Sequence, residues 1–575
     1  MRLAADFPAT SRGDWRSAAL AVLRRSGVES DSPEAALATL TYDGVTVAPL
    51  YDAADLPGEA GLPGLPPYVR GARASGQGWR VRQRHAVPDP EAVLADLENG
   101  VDSLWLVVGD DAIAVADLPR VLGGVYLDLV DIVLEAGART QEAAEALFGL
   151  AAERGTPLTG NLGAAIGEGQ SAAQVAALAR RCADAFPGLR AVTIDATRHH
   201  DLGASDAEEL GCSIADGIAH LRALTEAGLG IDQALGQIEF RYAATADQFA
   251  TIAKLRAARL LWSRVAEACG ATAAQRQHAV TSSAMMTARD PWVNMLRTTL
   301  ACFAAGVGGA DAVTVQPFDA VLGLPDGFAR RIARNTQSLL LEEAGIGRVI
   351  DPAGGSWYVE RRTADLAEQA WLWFQQIEAA GPDAERLITD QIAATRARRA
   401  ADIAHRRLPI TGVSEFPNLT ERLPVRAPAP AGRPLIRYAE EFERFRDLAD
   451  ARPQRPAVFL ATIGPVAAHT ARASFAANLF QSGGLATPTA GPLTDPAEIA
   501  AAFTASGARV ACLCSSDRLY GEHAEAVAAA LKQAGAQRVW LAGKGEYPGI
   551  DATLYAGCDV LRVLRTTFDD LEVTA

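Results

Sequence analysis

The chain has 575 residues, 49% of them hydrophobic and 21% charged, with a formal net charge of −15. That length exceeds what one hydrophobic core supports and calls for several domain-sized units. The acidic balance excludes a general binder of nucleic-acid backbones, which needs a basic face, and the seven scattered cysteines, with no C-x-x-C pair, argue against a zinc site or a disulfide framework.

Taken in chain order, the N-terminus MRLAADFPATSRGDWRSAALAVLRRSG carries charges throughout and lacks the apolar run of a secretory signal. No stretch approaches 18 uninterrupted apolar residues. The expectation is a cytoplasmic protein without a membrane contact. Residues 1–40 read as helical turns, with Trp15, Leu20, Val22 and Leu23 marking an apolar face, and predict an arm that lies on another surface. TYDGVTVAPLYD (41–52) leads into the Pro/Gly-dense stretch 53–72, which is irregular because proline lacks a donor and fixes φ.

Short apolar or β-branched runs then recur at 101–109, 125–130, 157–163, 191–196, 238–244, 279–283, 311–318 and 348–355, mostly separated by helical segments such as 171–186 and 247–268. Eight strands alternating with helices predict a parallel sheet closed into a (β/α)₈ TIM barrel. A long helical region (363–405) follows. It contains RARRAADIAHRR (396–407), read as a solvated basic face or linker helix. The Pro- and Arg-rich stretch 414–435 has no periodicity and reads as an interdomain linker.

The last part alternates again, with strands expected at 457–463, 485–493, 510–516, 538–543 and 560–564 and a helix opened by Asp495, Pro496 and Glu498. Five strands with interleaved helices make a small doubly wound, flavodoxin-like domain. The fold class is therefore α/β, with an arm over 1–40, a TIM-barrel domain over 41–405, a linker over 406–454 and the doubly wound domain over 455–575.

Motif searches return no H-E-x-x-H, no G-x-S-x-G, no G-x-x-x-x-G-K-[ST] and no EF-hand loop. The Gly-rich pieces 163–169, 351–357 and 542–549 read as tight turns rather than phosphate cradles. His199 and His200 follow a barrel strand and so fall on the rim where barrel enzymes work. They are either a general base or ligand pair, or histidines that merely sit there. His469, at the first strand–helix turn of the C-terminal domain, is a metal ligand, a buried scaffold residue or neither.

Residues 290–360, from DPWVNMLRTTLACFAAGVGGADAVTVQPFD to DPAGGSWYVE, resemble the signature stretch of the methylmalonyl-CoA mutase family almost throughout. PPYVRG (66–71) with the PLYD segment resembles the entrance strand of the family's barrel, and AKLRAARLLW (253–262) another family helix. TAGPLTDPAE (489–498), Ser515, Ser516 and Gly543 fall where the family's cobalamin-binding domain has its counterparts. Where the catalytic chains carry a Tyr after an Arg-Gln pair, this sequence has Arg84. Where they carry Tyr-His after a barrel strand, it has Thr197 and Arg198, with His199 and His200 one and two positions further on. Their cobalt-ligand motif Asp-x-His-x-x-Gly falls on Val466, Ala468 and Ala471 without a gap. Shifted by one to use His469, it falls on Ala467 and Arg472.

The resemblance thus implies the small, non-catalytic subunit of a heterodimeric mutase, with no catalytic, cofactor-binding or metal residues of its own. His469, Ser515, Ser516 and Gly543 are expected as vestigial positions. Adenosylcobalamin and the acyl-CoA substrate are expected on a large partner subunit. The alternative is a self-sufficient cobalamin-dependent acyl-CoA mutase using His469 as lower cobalt ligand.

Overall fold

The structure, a computed structural model, describes residues 10–430 and 432–573. The first nine residues of the expected arm lie outside the described residues. The arm begins with the helix Arg12–Arg25. Ser11 and Asp14 form its capping box, with Arg24 and Arg25 at the carboxyl end where the helix dipole favours cations. It buries only Leu23, and surface pairs Arg12–Asp52 (3.0 Å) and Arg16–Glu34 (3.1 Å) tie it down. Exposed pairs of that kind contribute little, so the arm is held loosely by its own chain.

Eight parallel strands close the barrel: β1 (Arg80–His85), β2 (Ser103–Val107), β3 (Asp131–Glu135), β4 (Gly160–Ala164), β5 (Leu189–Asp195), β6 (Ile238–Ala244), β7 (Arg276–Thr281) and β8 (Ala312–Thr314), with β8 beside β1. The barrel is the expected one, but two of its strands are not. RVRQRH forms β1, and 348–355 is no strand: it holds a short 3₁₀ turn, Ile346–Arg348, and a loop that Ser356 caps into the next helix. In that loop Pro352 has no N–H to give a ladder, and Asp351 is a buried acceptor for Arg70 (3.1 Å) and Arg256. PPYVRG is likewise a turn, and 125–130 precedes its strand rather than forming it.

Side chains alternate along every strand. Leu104, Leu106, Ile132, Leu134, Val192, Ile194, Phe240 and Tyr242 face outward into the apolar layer beneath the helices. Their neighbours Arg82, Trp105, Glu239, Arg241 and His278 fill the axis. The helix Gln248–Ala268 is buried along most of its length and carries three buried cations. Lys254 pairs with Asp206 (2.8 Å) and Glu209 (2.7 Å), and Arg256 with Glu360 (2.6 Å). Arg259 donates to the carbonyls of Tyr68 (2.9 Å), Val69 (3.0 Å) and Gly308 (2.7 Å). The family-like AKLRAARLLW segment is therefore a set of buried ties between the barrel and its entrance loop.

The C-terminal sheet is parallel, in the order β9 (Val458–Thr462), β10 (Val510–Cys514), β11 (Arg538–Ala542), β12 (Ala552–Leu554). The stretch 486–493 runs alongside β9 through isolated bridges at Ala486, Thr489 and Leu493, giving the flavodoxin-like arrangement. The strand expected at 560–564 is instead the start of the helix Val560–Asp570, N-capped by Asp559. The fifth strand is Ala552–Leu554. Alternate residues serve two cores, Leu460, Cys512 and Trp540 on one face and Phe459, Leu513 and Leu541 on the other. The first core also takes Phe442 and Ala449 from the helix Glu440–Asp450, which lies inside the stretch expected as linker. Among the described residues no helix is long and apolar enough to cross a membrane.

Candidate functional site

Barrel enzymes work at the carboxyl ends of their strands, and here that end opens into a cavity of about 800 Å³. Its walls come from the barrel and from Ala429, Pro430, Gly432, Arg433 and Leu435 of the stretch after the barrel; among the described residues none of the C-terminal domain lines it. Beneath the opening the axis is filled. Arg82 reaches across to Glu239 at 2.6 Å, and Arg241 pairs with Asp195 at 3.0 Å while donating to His278 Nδ1 at 3.1 Å. His278 Nε2 lies 2.8 Å from Thr314 Oγ1, and the Arg241 guanidinium lies 4.0 Å over the Trp105 ring.

From above, Arg433 places its guanidinium 2.6 Å from Asp195 and 3.8 Å from Glu135. Burial would raise the Asp195 carboxyl, but Arg241 and Arg433 outweigh it and hold the group well below the usual carboxylate range. Arg433 was invisible as a site residue in the sequence, because it stands in an aperiodic, arginine-rich stretch. At the wall of the same cavity lies Asp201, for which the Arg433 charge compensates only in part. Burial, then the charges of Asp195 and Glu209, push it up to about 7.

The histidine pair is not on the cavity wall. His199 and His200 lie on the short helix Thr197–Asp201 and are buried. His200 Nε2 is 2.6 Å from Ser282 Oγ, and burial with Lys254 nearby pushes its pKa down to about 3. It is neutral and holds Ser282, which does line the cavity. His199 faces Asp216 at 3.5 Å and takes a hydrogen bond from Arg198 Nε. Thr197 donates to Asp195, Arg198 pairs with Asp216 at 2.6 Å, and Arg84 leans over Trp105 at 5.2 Å with Glu135 3.6 Å away. Each of the three is held by its own neighbours. Among the described residues no group of three His, Cys, Asp or Glu is placed to hold a metal ion.

In the C-terminal domain the β9 turn feeds the helix Val466–Ser482. His469 stands in its first turns, buried, with Nδ1 3.2 Å from the Gly464 carbonyl. Three residues on, Arg472 crosses to the neighbouring loop. It donates to the Ser515 carbonyl at 2.8 Å and to Asp517 at 2.6 Å, and its guanidinium lies 5.0 Å over the Tyr520 ring. Gly543, at φ +152°, is where a Cβ would meet that guanidinium at 3.4 Å. Ser515 Oγ donates to the Ile463 carbonyl (2.7 Å), and Ser516 caps the helix Asp517–Gln533. The Tyr520 hydroxyl accepts from Ser515 N–H (2.8 Å) and lies 2.9 Å from the Ala542 carbonyl. The structure thus brings Ser515, Gly543, Arg472 and Tyr520 together and leaves His469 turned to its own backbone. Sequence reasoning missed Tyr520. Its only signal was an aromatic residue one helical turn after the Ser-Ser pair.

The family model for methylmalonyl-CoA mutase matches residues 164–457. The chain is 55% identical to the methylmalonyl-CoA mutase small subunit of Streptomyces virginiae, over 100% of this chain and 98% of the relative. This chain belongs to the methylmalonyl-CoA mutase family. It is 39% identical to the small subunit from Propionibacterium freudenreichii subsp. shermanii, covering 100% of this chain and 97% of that one. Against the methylmalonyl-CoA mutase of Escherichia coli (strain K12) it is 32% identical over 64% of this chain and 58% of the relative.

The family is adenosylcobalamin-dependent, so its mutase cofactor can be tested against the loop at His469. A ligating histidine has its second ring nitrogen held by a partner that fixes the tautomer. Here the Gly464 carbonyl is that neighbour, and Ala467 stands two residues before His469, where the family motif has Asp. Arg472, the third residue after it, fills the space toward Gly543. The residues present do not fit the group.

Proposed function

We propose that this chain is the non-catalytic small subunit of a heterodimeric methylmalonyl-CoA mutase, a cytoplasmic protein whose barrel (41–405) and C-terminal domain (455–575) act as scaffold. In this reading the large subunit binds adenosylcobalamin and the acyl-CoA ester and interconverts succinyl-CoA and (R)-methylmalonyl-CoA. The small subunit contributes an interface and an arm. The observation that carries the reading is Arg472, whose guanidinium, held by Ser515 and Asp517 and backed by Tyr520, occupies the space beside Gly543. A cofactor entering there would have to displace a charge already satisfied by three partners. In the barrel, Arg82, Trp105, Glu239, Arg241 and His278 fill the axis beneath the cavity with paired side chains.

Two measurements test it. The purified chain titrated with adenosylcobalamin is expected to leave the cofactor's visible spectrum unchanged. Ligation of cobalt by His469 would shift that spectrum and overturn the proposal in favour of a self-sufficient mutase. Co-expressed with the large subunit of its own host, the chain is expected to purify as a one-to-one complex that carries the activity.

A further inference from the structure

An outer helix of a barrel buries one apolar face and gives the other to water. The helix Val293–Val307 buries Asn294, Thr298, Ala301, Cys302 and Ala305, yet its opposite side is apolar too. Trp292, Leu296 and Leu300 recur there at i, i+4 and i+8, exposed by 46%, 67% and 44%. The stripe does not stand alone. Trp292 stacks on Phe318 with centroids 4.8 Å apart, and Phe318 meets Phe328 edge-on at 6.2 Å. Phe328 is itself 44% exposed, and the Arg331 guanidinium lies 5.5 Å over its ring at the edge of the patch.

Large side chains at these exposures leave on the order of 400 Å² of contiguous apolar surface. That is as large as the functional patches of soluble proteins and about half of the roughly 800 Å² that each partner gives to a standard interface. The exposed Val22, Leu37 and Leu40 of the arm offer further apolar area. Aromatic residues with arginine at the edge, and no lysine among them, are the composition of an interface core.

We propose that the Trp292–Leu296–Leu300–Phe328 face is a docking surface for the large subunit, which covers Leu296 with apolar side chains and meets Arg331 with carboxylates. The proposal rests on the heterodimer reading above. A second copy of this chain fits less well, because both molecules would carry the same net charge of −15.

The test uses the full chain co-expressed with the large subunit. Leu296→Glu places a charge at the most exposed point of the stripe, and Tyr126→Glu, at an apolar residue exposed elsewhere on the barrel, serves as control. Leu296→Glu is expected to weaken the complex by at least about 100-fold, the size of a hot-spot loss, with an unchanged thermal midpoint of the free chain and with Tyr126→Glu at wild-type affinity. Arg331→Glu is expected to weaken it less and to flatten its dependence on salt. A wild-type complex left intact by Leu296→Glu overturns the docking face while sparing the heterodimer. Failure of the wild-type chains to associate overturns both. A homodimer of this chain dissolved by Leu296→Glu overturns the choice of partner.

Discussion

Arg472 and Asp201 show how single side chains set what this molecule can do. Arg472 is held by a carbonyl, a carboxylate and an aromatic face, and charge-assisted hydrogen bonds of that kind are the strong ones. Asp201 is the opposite case, a carboxyl in the cavity wall with burial and two neighbouring carboxylates pushing it up to about 7. A folded pKa above the unfolded one means that the folded state binds the proton more tightly. The stability it contributes is fully present below the unfolded value near 3.8 and is lost as pH rises through about 7. Asp201→Asn removes this dependence. The variant is therefore expected to gain thermal stability over wild type as pH rises from 4 to 8, with the two curves meeting at the acid end. Calorimetry across that range checks it, and parallel curves would mean that Asp201 ionises freely.

At the scale of elements, β1 carries the lesson. RVRQRH has the composition of an exposed segment, and apolar periodicity alone passes over it. It is a barrel strand because Arg82 finds Glu239 across the axis at 2.6 Å, both side chains being buried. A buried pair of this kind is worth little against an apolar replacement, but breaking it leaves an uncompensated charge. Arg82→Ala is expected to cost about 3–5 kcal/mol in a urea titration, and Arg82→Met with Glu239→Leu to recover most of that. Equal losses in the single and double variants would show that the strand depends on something other than the pair. The loop 348–355 fails in the reverse sense. Its apolar residues suggested a strand, but Pro352 and the buried ion pairs of Asp351 made it a tie to the helix Gln248–Ala268.

For the whole molecule, the arm is the part that its own chain does not explain. Helix Arg12–Arg25 buries Leu23 alone, and its ion pairs are exposed. Its packing surface must come from outside if it is to be stable, since a helix of 14 residues is marginal in water by itself. Deleting residues 1–37 is expected to leave the thermal midpoint of the free chain unchanged while weakening the complex with the large subunit by about 10-fold or more. Ultracentrifugation of the mixed subunits reads the second effect. A fall in the free chain's own midpoint would mean that the arm is an integral part of this fold.

The sequence by itself determined the alternation of strands and helices, the order of the two domains, and the absence of a carboxylate two residues before His469. These are local properties, written in periodicity, caps and the identity of single residues. It located six of the eight barrel strands, because their outward faces are apolar, and its run at 125–130 stopped just short of a seventh, Asp131–Glu135. It could not locate β1, whose partner lies 157 positions away, nor the fifth C-terminal strand, which is only three residues long. Only the tertiary structure decided what fills the sites. Arg433 reaches Asp195 from an aperiodic stretch, and Arg472 meets Ser515, Asp517 and Tyr520 across two loops. Whether a charged side chain is solvated or buried in a ready-made pair depends on residues that the fold brings to it, and no local pattern carries that information.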